Sequence, residues 1–60
     1  MFGKSVADYA HALYKARGDK AEAHAAQKMR AAEEAGNTAD LEQWRAVRAA
    51  VRRLRGANAS

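Results

Sequence analysis

Asn37 to Gly56, NTADLEQWRAVRAAVRRLRG, is the stretch from which the rest of the chain is read. It holds the only Trp, two of the three Leu, two of the three Val and five of the seven Arg. Wound as a helix, it sets Trp44, Val47, Val51 and Leu54 on one arc, with Leu41 at the edge. Arg45, Arg48, Arg52 and Arg55 fall on the neighbouring arc at 3-4-3 spacing and form a continuous ridge. One helix thus carries an apolar stripe and a basic stripe side by side. Asn37 or Thr38 caps its start, and Asp40 and Glu42 suit the positive N-terminal end of the macrodipole. Arg52, Arg53 and Arg55 suit the negative end, and Gly56 supplies a stop. The expected helix runs over 39–55.

Working back toward the N-terminus, the same grammar recurs twice. Ser5 reads as an N-cap with Asp8 three residues on, opening a helix over 6–17 that Gly18 ends. Its buried stripe is Val6, Tyr9, Ala10, Leu13 and Ala16, with Phe2 folding back near Val6 or Tyr9. Asp19 with Glu22 is the cleanest capping box in the chain and opens a helix over 20–35 that Gly36 ends. The inward face of that helix is Ala21, Ala25, Met29 and Ala32, with Ala26 beside them; only Met29 is large. The links Gly18-Asp19 and Gly36-Asn37 are too short for anything but antiparallel neighbours. The expected fold is all-α, a small antiparallel three-helix arrangement. It forms one domain over 1–56, with 57–60 a frayed tail.

Composition bears on how such a bundle is stabilised. Of 29 apolar residues 17 are Ala, which leaves 12 larger ones in 60 residues. A chain of this length hides only about 60% of the surface it exposes when unfolded. Cys is absent, so disulfides and thiolate metal sites are excluded. These facts raise the expectation that oligomerisation completes the fold, with a two-fold dimer the default. Charges recur too often for a membrane span, and MFGKSVADYAHALY lacks the apolar block of a signal peptide, so the cytoplasm is expected. The net charge of +4 resides entirely in residues 41–60, where five Arg face Glu42 alone.

Two turns repeat at an eighteen-residue interval, Gly18-Asp19 before Ala21 and Gly36-Asn37 before Ala39. The piece Leu13-Tyr14, Gly18-Asp19, Glu22-Ala23 and Gln27-Lys28 resembles part of a tetratricopeptide repeat over roughly a third of the chain. The chain departs from that pattern after the second helix, where Pro is missing and the spacing to Trp44 is wrong. A single hairpin also lacks the stacked neighbours of a solenoid, so the likeness is read as shared helix–turn–helix grammar. Membership would imply peptide binding.

Chemistry of the catalytic kind has little to draw on. The two imidazoles, His11 and His24, are thirteen residues and a turn apart. Asp8 and Lys15 flank His11 at one-turn spacing, but no nucleophile accompanies them, because Ser5 is wanted as a cap. No phosphate-binding glycine loop or HExxH pattern occurs. The expectation is a non-enzymatic protein without catalytic residues, cofactor, bound metal or small-molecule substrate. Helix 39–55 is instead expected to bind a partner through Trp44, Val47, Val51 and Leu54, with Arg45, Arg48, Arg52 and Arg55 steering an acidic counterpart. That partner is a protein with an acidic face, a second copy of the chain, or a larger enzyme served as an accessory subunit. Nucleic-acid or ribosome-associated binding through the same ridge ranks second among the binding readings, beside a plainer one in which the ridge only solvates the helix and pairs with Glu22, Glu33 or Glu34. The middle helix is too long for a helix-turn-helix reader, and no Asn or Gln on the ridge could read a base.

Overall fold

The structure, a computed structural model, describes residues 5–58, with side-chain burial defined for 5–56. Three helices follow one another: α1, Val6–Arg17; α2, Lys20–Glu34; and α3, Thr38–Asn58. Their order and number match the all-α antiparallel expectation. The expected fold-back of Phe2 lies outside the described residues, as do Ala59 and Ser60.

Local chemistry explains most of the boundaries. The Ser5 hydroxyl accepts from the Asp8 amide at 3.2 Å and fills one of the orphan donors at the start of α1. Gly18 then takes φ 60 and Gly36 takes φ 71, a region L side chains rarely enter, and the chain reverses at both. The Gly18 amide donates to the Tyr14 carbonyl at 2.7 Å. At the third helix, Asn37 rather than Thr38 is the cap. Its Oδ1 accepts from the Asp40 amide at 3.1 Å, while its Nδ2 donates to Asp40 Oδ2 at 3.0 Å.

Two local expectations need correction. The Asp19–Glu22 capping box does not form. Asp19 sits at φ −63, ψ −18, already helical, and its side chain makes no cap hydrogen bond. A capping side chain needs the extended backbone that Ser5 has at φ −63, ψ 157. Gly56 does not stop α3, which continues to Asn58 without a positive φ at that glycine. Glycine permits a left-handed turn without enforcing one. The glycine stop read at 56 therefore comes too early.

The core lies where α3 crosses the small-residue faces of the other two. Ala10 and Leu13 from α1, Ala21 and Ala25 from α2, and Trp44, Val47 and Val51 from α3 form one buried cluster. Val6, Tyr9, Tyr14, Met29 and Ala50 pack against its edge. The α2–α3 contact is the most extensive and the α1–α2 contact the least, so α3 is the helix both others lean on. Alanine lets α2 approach closely but contributes little burial, and the larger side chains of α3 supply it. Ala16, expected inside, is exposed, because the α1 stripe runs through Leu13 toward Tyr14 instead. Trp44 is ringed by Tyr9 at 5.7 Å and His24 at 5.9 Å, both edge to face, a geometry that suits the aromatic quadrupole.

Candidate functional site

Helix α3 presents its two stripes very differently. Trp44 is 8% exposed, and Val47 and Val51 are at 0%. These three residues, expected as the apolar half of a partner surface, are enclosed by the chain's own helices. Leu54 is half-buried, and so is Leu41. The expectation that the stripe outstrips its internal cover is therefore corrected. Trp44, Val47 and Val51 of α3 meet Leu13, Tyr9, Met29 and three buried alanines, whose small side chains let the helices close in.

The arginines remain outside. Their side-chain exposures are 59% for Arg45, 40% for Arg48, 64% for Arg52 and 49% for Arg55. What organises them is Glu22, freed from the capping box that α2 does not make. Arg55 Nη1 donates to Glu22 Oε1 at 2.7 Å. Arg52 Nε lies 3.4 Å and Arg48 Nε 3.7 Å from Glu22 Oε2. Arg55 is also 3.9 Å from Asp19, and Arg45 pairs with Glu42 at 3.3 Å within the helix. Three guanidinium groups thus converge on a single carboxylate that is itself only 20% exposed. Arg48 Nε is shielded from solvent without a hydrogen bond, so it is the least satisfied of the three.

The local charge does not cancel. Arg45, Arg48, Arg52 and Arg55 meet Glu22, Asp19 and Glu42, and Arg53 joins the same shallow groove of about 390 Å³ beside Arg45, Arg48 and Arg52. A second groove, of about 280 Å³, runs between α2 and α3 with Arg30, Arg45 and Arg48 on its walls. Met29 and Leu41 form its floor, and Glu33 is its one carboxylate. Arg30 and Arg53 are basic residues that the 3-4-3 spacing does not single out. Arg53 lies off the ridge by a third of a turn, and Arg30 reaches it only because α2 packs alongside.

Elsewhere, His11 is exposed on α1 and His24 is half-buried against Trp44, so the two imidazoles serve different surroundings. Partial burial holds His24 below the ordinary imidazole value, and the positive charges of Arg17 and Lys28 push the same way. Among the described residues, no three of His, Asp and Glu gather in a metal-binding group, and no helix is long and apolar enough to cross a membrane. No family model, curated protein sequence or solved structure matches the chain.

Proposed function

We propose that this chain is a small, non-enzymatic nucleic-acid-binding protein that grips the phosphate backbone without reading sequence. Arg45, Arg48, Arg52 and Arg55 carry the contact, with Arg53 and Arg30 at its flanks. The observation behind this reading is the contrast on α3: the apolar stripe is closed off while the arginine ridge stays open and under-neutralised. A protein interface needs a desolvated apolar or aromatic anchor inside its polar rim, and Trp44 is not available as one. Backbone binding needs only cations that displace condensed counterions, and arginine forks suit phosphate oxygens. Successive ridge positions rise about 4.5–6 Å along the helix, close to one phosphate step. The proposal sets the protein in the cytoplasm, with ribosomal RNA within reach of the ridge.

Titration of a labelled 20-mer at 50 mM and 200 mM salt tests this. For a single strand, the four ridge contacts alone predict a slope of log K on log salt of about −3 and roughly a 50-fold loss between those salts, and any further contact steepens it. Arg48→Glu with Arg52→Glu abolishes the binding while the helical signal persists. No measurable binding of the intact chain at 50 mM salt rejects the reading.

A second reading keeps the ridge but gives it an acidic protein partner, with self-association as a dimer and an accessory-subunit role as its forms. Half-buried Leu54 and Leu41, at either end of the ridge, favour it as a reduced apolar edge. Molar mass in solution decides the dimer. A stoichiometric partner that survives purification, and is lost with Leu54→Asp, decides the rest.

A further inference from the structure

A second cationic surface lies around the corner from the ridge. Arg17 at the end of α1 and Lys20, Gln27 and Arg30 on α2 line an open groove of about 430 Å³, together with Ala23 and His24. Lys20, Ala23, Gln27 and Arg30 recur at three- and four-residue intervals, so they share the outward face of α2, away from buried Ala21, Ala25 and Ala32. No carboxylate lines this groove. Among the described residues none lies within ion-pair distance of Arg17, Lys20 or Arg30. The α3 ridge, by contrast, is partly offset by Glu22, Asp19 and Glu42. Arg30 belongs to both places, since it also walls the α2–α3 groove opposite Arg45 and Arg48.

We infer that a single strand of nucleic acid runs from the α3 ridge across Arg30 and onto the Arg17–Lys20 face, so that the protein prefers single strands to duplexes. This rests on the backbone-binding reading above and names its substrate class. The geometric reason is that the two surfaces face different ways around α2. The molecule measures only 38 × 21 × 16 Å, so a path over both must bend sharply within its length. A duplex, stiff over about 150 base pairs, lies against one of the surfaces. A single strand follows the turn and gains the phosphates on both, with Gln27 and the His24 ring beside its path. His24, at the edge of this groove, is held below the ordinary imidazole range first by burial and then by nearby positive charge. Arg17 from α1 and Lys28 from α2 both disfavour its protonation, and uncharged Trp44 is what α3 sets against it.

The test compares a labelled oligo-dT 20-mer with a 20-base-pair duplex on three full-length proteins: the parent, Arg17→Gln with Lys20→Gln, and Arg48→Glu with Arg52→Glu. The expected result is that Arg17→Gln with Lys20→Gln reduces the salt slope for oligo-dT by about 1.4 and weakens it more than tenfold at 50 mM salt, leaving the duplex within about twofold. Oligo-dT also raises the His24 titration midpoint, followed by NMR, as phosphates offset the nearby cations. If oligo-dT binding is unchanged in the Arg17/Lys20 variant but lost in the Arg48/Arg52 variant, the strand ends at the ridge and this inference falls while the backbone reading stands. If neither variant matters, both fall. An equal loss for the duplex overturns the single-strand preference.

Discussion

Two turns of nearly the same composition, Gly18-Asp19 and Gly36-Asn37, resolve their helix starts in opposite ways. Asn37 satisfies the start of α3 from within, through its reciprocal bonds with Asp40. Asp19 makes no such bond, and Glu22, its expected partner, turns to Arg48, Arg52 and Arg55 instead. The second turn spends its polar groups locally; the first spends them across the bundle. What separates them is company. Glu22 faces a row of arginines on the neighbouring helix, and three cationic guanidinium groups compete for its carboxylate against one neutral backbone amide. A capping signature therefore marks where a helix starts more reliably than it marks where its side chains go.

That contrast can be broken or sharpened by substitution. The largest effect is expected at the glycine of the first turn, because the turn has no side-chain cap to fall back on. Gly18 has open space for a Cβ, but its φ 60, ψ −131 is hostile to any L side chain. Gly18→Ala should cost about 1–3 kcal/mol by thermal or urea unfolding. Next, Asn37→Ala should cost about 1 kcal/mol, whereas Asp19→Ala should stay within about 0.5 kcal/mol. Equal costs for the two would show that Asp19 caps α2 in solution. Glu22→Gln should cost no more than about 1 kcal/mol, a difference that shrinks as salt is raised, since the pairs are partly exposed. The same change should strengthen nucleic-acid binding by releasing positive charge on the ridge.

The smallest effect concerns His24, one turn beyond the first link. Its folded-state value is depressed, so the unfolded chain binds more protons as pH falls through and below about 6.5. Stability from this group is therefore present above that range and lost on acidification. A urea series from pH 7.5 to pH 5 should show a modest decline that His24→Gln flattens.

The helices and most of the core were legible because 3.6-residue periodicity names faces. Ala10, Leu13, Ala21, Ala25, Trp44, Val47 and Val51 all fall where that period puts them. Periodicity says nothing of what a neighbouring helix lays over a face. Hence the apolar side of α3 reads as an interface in the sequence and is an interior in the fold. Arg30 and Arg17 escape notice for the same reason, since they join the basic surface through packing rather than spacing. Ala16 and Gly56 mislead differently. Alanine is at ease on either side of a helix, and glycine is at ease on either side of a helix end.

The convergence on Glu22 has a consequence for any anion that arrives at the ridge. Arg48, Arg52 and Arg55 are already gathered on one carboxylate, so much of the freedom they would surrender on binding is gone beforehand. The resident carboxylate acts as a placeholder ligand. On the proposed nucleic-acid reading, a visitor must out-compete it, which repeated, closely spaced phosphates do better than a lone carboxylate. Under that proposal, Glu22 sets the charge density an incoming anion must exceed before the three arginines exchange partners.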